Sequence, residues 1–329
     1  MDTFKSFEDL LYKVNDKNFE DIALQLFRFQ AKENAVYKEF ITHLGCNPSK
    51  IARLEDIPFL PISFFKSHTI KTGEWISQCV FTSSGTTGAA TSSHEVPRLA
   101  FYLTNTEKAF TYFFGPIEDY HILALLPSYL EREGSSLVAM ADYFISRSQS
   151  NHSGFYLNNQ SELVDGLLKL KKEGSKKILL LGVSFALLEL AENYPVDLSG
   201  CIVMETGGMK GRRKELIREE LHQILITRLN VRSIFSEYGM TELMSQAYSL
   251  GDGYYSCPPW LRIMLRDIND PFSFEKDGKV GGINIIDLAN FHTCSFIETQ
   301  DLGRKAQNGS FEVLGRMDNS DVRGCNLLV

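Results

Sequence analysis

Several things are missing from this 329-residue chain, and each absence narrows what it can be. No stretch approaches the roughly 20 consecutive apolar residues that a membrane span needs. The opening run Met1-Asp2-Thr3-Phe4-Lys5-Ser6 has neither the basic nor the apolar region of a secretion signal. Cysteine is sparse: Cys46, Cys79, Cys201, Cys257, Cys294 and Cys325 contain no C-x-x-C pair, which argues against a structural zinc site. A chain of this size does not need disulfide stapling, so reduced thiols and a cytoplasmic location are expected. Like charges do not form blocks, and the net charge of −7 favours neither nucleic acid nor an anionic membrane as the main partner. Internal repeats and low-complexity linkers are absent, as is the G-x-x-x-x-G-K-[ST] spacing of a P-loop. What is present is a 43% hydrophobic composition, enough for a large core or for two lobes with a cleft between them.

The apolar pattern changes character along the chain. In the first forty-odd residues Leu10, Leu11 and Val14, then Ile22, Leu24, Leu26 and Phe27, recur at near-helical spacing among charges. The two prolines of Ile57-Pro58-Phe59-Leu60-Pro61-Ile62 end any helix there. The aromatic run Phe59 to Phe65 reads as core in preference to an acyl tunnel. Strand-like and helix-like segments then alternate: Cys79–Thr82, His121–Leu126, a helix from Ser136 to Ser146, Lys177–Gly182, a helix from Phe185 to Ala191, Cys201–Met204, an amphipathic helix from Arg212 to Leu229, and Val231–Phe235. Such alternation with short connections predicts an α/β fold with a partly parallel sheet. Short strands at Gly282–Asp287, Cys294–Glu298 and Ser310–Leu314 predict a β-rich subdomain. The expected layout is a core over 1–314, divided into a helical segment (1–50), α/β sheets (51–250) and the β-rich part (251–314), followed by a tail over 315–329.

Ligands of α/β sheets bind at the carboxyl ends of strands. Three unusual segments follow strand-like runs: Thr82 to Gly88, Glu205 to Gly208 and Glu237 to Glu242. In Thr82-Ser83-Ser84-Gly85-Thr86-Thr87-Gly88, glycines let backbone N–H groups turn toward an anion and the hydroxyls add donors, a combination suited to polyphosphate. In Ser236-Glu237-Tyr238-Gly239-Met240-Thr241-Glu242-Leu243 an aromatic ring that can stack on a base stands four residues before a carboxylate that can hold Mg²⁺. Ser128, with Glu131 and Arg132 nearby, lacks the G-x-S-x-G elbow of a serine nucleophile.

Together these runs resemble the adenylate-forming superfamily of acyl-CoA synthetases, firefly luciferase and nonribosomal adenylation domains. Phe81 to Gly88 is similar to its phosphate-binding signature, and Tyr238-Gly239-Met240-Thr241-Glu242 to its aromatic-Gly-x-Thr-Glu motif. Thr299-Gln300-Asp301 resembles its Thr-Gly-Asp motif, with Gln in place of Gly, and Gly315-Arg316-Met317-Asp318 its hinge motif. A narrower resemblance covers nearly the whole chain: Ile57–Pro61, Leu126-Pro127-Ser128-Tyr129-Leu130-Glu131-Arg132, Glu205 to Arg212 and Arg323-Gly324-Cys325 are similar to acyl-protein synthetases, the fatty-acid–protein ligases of bacterial luminescence systems.

The resemblance implies an ATP- and Mg²⁺-dependent ligase. Ser83, Ser84, Gly85, Thr86, Thr87 and Gly88 would hold the ATP phosphates, and Gly207, Gly208, Tyr238 and Gly239 would frame the adenine. Thr241 would contact the phosphate beside the reacting carboxylate, Glu242 would bind Mg²⁺, and Asp301 would take the ribose hydroxyls with Arg316 nearby. Two departures stand out: the usual Pro-Lys-Gly after the phosphate loop is replaced by Ala89-Ala90-Thr91-Ser92-Ser93-His94, and the sequence stops just after the hinge-like motif, so the expectation is a core without the small C-terminal lid and its lysine. Lys210, then Lys66, are the candidate replacement cations, with ordinary surface lysines the competing reading. His94 is either a phosphate ligand or base, or a loop residue with a local hydrogen bond. A thiolate is the best side-chain acceptor for an acyl-adenylate, and Arg323 would lower the pKa of Cys325. The expected sequence is therefore activation of a carboxylic acid, by resemblance a fatty acid, then transfer to Cys325 for delivery to a partner reductase. The alternatives are transfer to coenzyme A or a carrier protein, or a non-catalytic nucleotide-binding subunit.

Overall fold

The computed structural model describes residues 3–83, 91–127, 134–157, 159–207 and 216–317. The amphipathic start folds into three helices, α1 (Thr3–Leu11), α2 (Phe19–Glu33) and α3 (Ala35–His43). Asn34 separates α2 from α3 by leaving helical geometry and accepting a hydrogen bond from the Tyr37 N–H at 3.0 Å, an N-cap that starts the new helix. The Phe19, Leu26 and Phe27 side chains are fully buried, so the periodic apolar face is a core face.

Fourteen strands are found among the described residues: β1 (Leu60–Pro61), β2 (Cys79–Thr82), β3 (Ser93–Val96), β4 (Tyr120–Leu125), β5 (Gly154–Tyr156), β6 (Lys177–Val183), β7 (Ile202–Thr206), β8 (Phe235–Tyr238), β9 (Ala247–Ser249), β10 (Tyr255–Ser256), β11 (Leu261–Arg266), β12 (Val280–Asp287), β13 (Phe296–Lys305) and β14 (Phe311–Arg316). The remaining helices are α4 (Phe64–Ser67), α5 (Leu99–Phe114), α6 (Ser136–Arg147), α7 (Gln160–Glu173), α8 (Ser184–Asn193) and α9 (Arg218–Leu229). Twelve strands make one sheet in the order β11-β12-β13-β14-β10-β9-β8-β7-β6-β4-β5, with β1 alongside β13. From β5 to β8 the neighbours are parallel; from β8 to β11 they are antiparallel. The strands of 251–314 thus continue the same sheet. Parallel strands are covered on both faces, which is why β4 and β6 read as unbroken apolar runs.

Three local expectations shift. The strand-like run at Val231–Phe235 is mostly not strand. Asn230, at φ 48°, closes α9 in left-handed geometry, Val231 donates back to the Ile226 carbonyl, and pairing with β7 starts only at Phe235 opposite Met204. Of the helix expected over 212–229, the described part begins at Arg218, and its buried seam is Leu221, Leu225 and Leu229; Leu216 and Ile217 precede the first turn, with Ile217 exposed. Finally, β2 does not join the main sheet. It pairs antiparallel with β3 in a separate two-stranded sheet, Phe81 opposite His94. No helix among the described residues is long and apolar enough to cross a membrane.

Candidate functional site

The ends of β7 and β8 lie side by side, Thr206 opposite Glu237. Glu205 is buried near the end of β7 and gathers three other elements. It accepts from Ser184 Oγ of α8 at 2.8 Å and Ser236 Oγ of β8 at 3.1 Å, and it meets His222 Nε2 at 3.1 Å and Arg218 Nε at 3.4 Å, both from α9. Burial raises its carboxyl pKa, but the His222 hydrogen bond and charge and the Arg218 charge outweigh this and hold it below the ordinary value. Ser184 Oγ also lies 2.8 Å from the Gly207 carbonyl, so its one proton is shared between the Glu205 carboxylate and the turn after β7, where Gly207 takes a positive φ of 67°.

Tyr238 ends β8. Its hydroxyl donates to Asp301 Oδ2 at 2.8 Å, and its ring packs edge-on against Phe311. Burial first, then the Asp301 charge, push the phenol well above its ordinary pKa, so it remains a donor. Asp301 Oδ1 lies 3.4 Å from Arg316 Nε, because the register of β13 and β14 puts the two residues opposite each other. The Arg316 side chain is 80% exposed and the Asp301 side chain 12%, so the pair spans the surface of the site. Behind it, the buried guanidinium of Arg266 donates to the Thr299 carbonyl at 2.7 Å and to Asn284 Oδ1 at 2.9 Å. At Gly282 a Cβ would come within 2.4 Å of that guanidinium, so any larger residue would push Arg266 off these partners.

Thr241 and Glu242 follow Tyr238 in a turn held from beneath by residues 287–293. Asp287 Oδ2 accepts from the Met244 and Ser245 N–H groups at 2.9 and 3.0 Å; Oδ1 accepts from Ser245 Oγ at 2.7 Å and Ala289 N–H at 3.1 Å. Asn290 Nδ2 donates to the Glu242 carbonyl at 2.8 Å. His94 joins the same support. Its Nδ1 faces the Thr241 carbonyl at 2.7 Å and must carry the proton there, since a carbonyl only accepts; its Nε2 lies 3.0 Å from Thr293 Oγ1. Burial lowers its pKa to about 4. With both nitrogens engaged by protein groups, His94 is placed to hold Thr241 and is not presented to a phosphate or a substrate proton. The 290–295 segment is in turn gripped from the α2–α3 corner: Gln30 Nε2 shares its two protons among the Asn290, Phe291 and Thr293 carbonyls at 3.1 to 3.3 Å, and Asn34 Nδ2 donates to the Thr293 carbonyl at 2.8 Å.

The β2–β3 hairpin reaches the same turn. The Ser83 N–H donates to the Ser92 carbonyl at 3.0 Å and the Ser92 N–H to Ser83 Oγ at 2.8 Å, closing the hairpin where the hydroxyl-rich run begins and ends. The Ser92 hydroxyl is hydrogen-bonded to the Glu242 carboxylate. Burial raises that carboxyl pKa, opposed by Ser92 and by the charges of Arg316 and Lys66. Lys66, on α4, is thus near the site; its side chain is exposed. Ser84, Gly85, Thr86, Thr87, Gly88, Gly208, Lys210 and Cys325 lie outside the described residues. Among the described residues no three His, Cys, Asp or Glu side chains group as a ready-made metal cage.

The structure thus brings together Ser83, Gly207, Tyr238, Gly239, Thr241, Glu242, Asp301, Arg316 and Lys66, and places His94 beneath them. Sequence reasoning marked the Glu205 to Gly208 segment but gave Glu205 itself no role, and it passed over Arg266, Asp287 and Asn290. Their signal was a lone charge or amide inside or ending an apolar strand, as in Gly282-Ile283-Asn284-Ile285-Ile286-Asp287. A group there stays only if it is paired.

No protein-family profile matches the chain, and no curated protein matches it in sequence. Solved structures do match in fold. 2-Hydroxyisobutyryl-CoA ligase (HCL), in complex with 2-HIB-AMP and CoA in the thioesterification state, superposes with a TM-score of 0.68 at 14% identity, over 92% of this chain and 68% of that one. ATP-bound MatB from Rhodopseudomonas palustris gives 0.53 at 15% identity, over 72% of this chain and 47% of that one, so the chain spans about half of MatB. A chimera of MatB, also ATP-bound, gives 0.54 over the same shares. At these identities the likeness is one of fold: the chain has the α/β core architecture of the adenylate-forming ligases.

Proposed function

We propose that this protein condenses a carboxylic acid with ATP to give an acyl-adenylate and pyrophosphate, then passes the acyl group to a thiol. The observation that carries the reading is the convergence at the end of β8, where the Tyr238 hydroxyl meets Asp301, itself paired with Arg316, and the next turn supplies Thr241 and Glu242. In this reading Tyr238 and Gly207 flank the adenine, and Asp301 accepts the ribose hydroxyls. Thr241 contacts the α-phosphate, and the Ser83–Gly88 run holds the departing pyrophosphate. A carboxylate oxygen of the acid bonds to the α-phosphorus as the bond to the bridging oxygen of pyrophosphate breaks, and alignment of the two is the main work of the site. Mg²⁺ suits one buried carboxylate combined with substrate phosphates, and Glu242, with the Ser92 hydroxyl beside it, fits that donor set. Bound there, the ion would offset charge on the leaving group. Lys66 is a described lysine placed to do the same, and Lys210 is a second candidate from its place in the sequence.

In the second step a thiolate attacks the acyl carbon and AMP leaves. The solved HCL complexes hold 2-HIB-AMP and CoA together, which supports coenzyme A as the first acceptor to test. Self-acylation at Cys325, with delivery of a fatty acyl group to a partner reductase, is the second reading; it rests on the resemblance to acyl-protein synthetases and on the neighbouring Arg323. Carboxylate-dependent exchange of labelled pyrophosphate into ATP tests the first step, and absence of exchange across a broad acid panel refutes it. Intact mass separates the acceptors: free acyl-CoA with unmodified protein supports coenzyme A, whereas a hydroxylamine-labile adduct lost in Cys325→Ser supports self-acylation.

A further inference from the structure

Arg218, the first residue of α9, reaches three parts of the proposed nucleotide site at once. Its Nε lies 3.4 Å from Glu205 Oε1, the oxygen that also meets His222 and Ser236. The other Glu205 oxygen shares the Ser184 proton with the Gly207 carbonyl, so this end of the guanidinium is tied to the turn proposed to frame the adenine. Arg218 Nη1 donates to the Val313 carbonyl of β14 at 3.0 Å. Between these ends, the guanidinium carbon stands 5.2 Å from the centre of the Tyr255 ring. Tyr255 in turn stacks on Phe311 and packs against Tyr238, the ring proposed to flank the base.

The sheet is weak where this side chain crosses. β10 pairs with β14 only at Tyr255 opposite Phe311. Past that point β14 runs on to Arg316 with β13 on one side and no strand among the described residues on the other. Three strands separate β14 from β7 in the sheet order, and two of them, β9 and β10, are only three and two residues long. Arg218 crosses this gap with an ion pair at one end and a carbonyl at the other. Its side chain is 27% exposed and that of Glu205 6%, so salt screens the pair little. A planar guanidinium donates in two fixed directions, which an ammonium on a flexible stem does not. We infer that Arg218 is a positioning residue for ATP, setting the distance between the turn that frames the adenine and the Asp301–Arg316 pair that takes the ribose. This rests on the nucleotide site proposed above and gives Arg218 no contact with substrate.

The test compares Arg218→Gln and Arg218→Lys, the second keeping a charge toward Glu205 and so guarding against a variant that fails to fold. Leu225→Ala, a cavity in the buried seam of the same helix, is the structural control. Pyrophosphate exchange by the full chain is measured with ATP and with 2′,3′-dideoxy-ATP. The parent should prefer ATP by about tenfold or more, because the dideoxy compound leaves Asp301 without its ribose donors. In both Arg218 variants the KM for ATP should rise by about tenfold and that preference should shrink, while the KM for the acid holds. Leu225→Ala should lose stability in urea yet keep the parent's KM for ATP and its preference. Unchanged Arg218 variants, or a Leu225→Ala that shifts the KM for ATP as far as they do, overturn the inference. Calorimetric Kd values for the two nucleotides give the same comparison, so it is decided even where no acid supports exchange. A parent that binds no ATP overturns the nucleotide site and the inference together, whereas a parent that binds ATP beside unchanged variants overturns the inference alone.

Discussion

Replacing Glu237 with Gln should alter how stability depends on pH, with a sign and size that come from the structure. The carboxyl is buried, with one hydroxyl partner and no described cation, and its pKa rises from 4.5 to about 7. The folded protein therefore holds this proton more tightly than the unfolded chain does. Stability from this group is complete below about 4.5 and is lost as pH rises through about 7. At about 1.4 kcal/mol per pH unit, the gap is worth about 3 kcal/mol. Gln keeps the shape and an acceptor for Thr206 but does not titrate. The stability of Glu237→Gln relative to the parent should thus rise by about 3 kcal/mol between pH 4.5 and pH 8, most steeply from 5 to 7. Urea unfolding of the two proteins in parallel, followed by tryptophan fluorescence and circular dichroism at each pH, reads this difference directly; coincidence of the two probes checks that a single transition is being measured. A difference that stays flat from pH 4.5 to 8 would refute the reasoning and would place a counter-charge near Glu237.

Other substitutions probe the rest of the site. Asp301→Asn removes the charge that pairs Arg316 and accepts from Tyr238, and should raise the KM for ATP by roughly tenfold, the scale of one charge-assisted hydrogen bond, with a smaller change in kcat in steady-state exchange assays. Asn290→Leu strips the Glu242 carbonyl of its donor and removes the amide oxygen that shares the Thr293 hydroxyl proton with His94 Nε2; about 1–3 kcal/mol of stability should be lost in urea titration, together with a higher Mg²⁺ requirement for exchange. Gly239→Ala places a methyl group 2.4 Å from Glu237 Oε1 and should destabilise by about 1–3 kcal/mol; in Glu237→Ala/Gly239→Ala double mutants the penalty should fall, which a double-mutant cycle on melting temperature detects.

Legibility in the sequence depended on the range of each signal. Helices α2, α6 and α8 and strands β4, β6 and β12 lie close to their expected positions, because apolar period and burial are local properties. The end of α9 misled because Val231 and Ile234 are buried yet belong to a helix cap and the link after it, and an apolar run does not show whether a ladder partner exists. Cys79–Thr82 was recognisable as a strand, but its partner was not: it pairs across the hydroxyl-rich run to Ser93–Val96 and stays out of the main sheet. At the site, the residues that would meet a nucleotide announced themselves as unusual hydroxyls, glycines and carboxylates after strands. The groups that hold those residues did not, because a buried amide such as Asn290 or Gln30 is indistinguishable in sequence from a surface one.

His94 falls between these two kinds of residue. Next to a hydroxyl-rich loop, a histidine invites a reading as phosphate ligand or base. Its environment makes it a brace: β2–β3 pairing turns it inward, Thr241 and Thr293 take its two nitrogens, and burial keeps it neutral well below pH 7. The brace is one link in a buried chain. Gln30 of α2 and Asn34, the cap between α2 and α3, fix the 290–295 carbonyls, Thr293 and Asn290 connect these to His94 and to Glu242, and Asp287 ties down the residues after Glu242. The N-terminal helices, nearly 260 positions away in sequence, therefore help to set where the Thr241 carbonyl and the Glu242 carboxylate stand. In the proposed reaction Glu242 would meet a metal and a phosphate within a few tenths of an ångström, and its turn would gain from such support. The support constrains which side chain can stand at position 30: Gln30 shares its two amide protons among three carbonyls of this segment and accepts from the Ser295 N–H, so no shorter or apolar side chain there satisfies the same set.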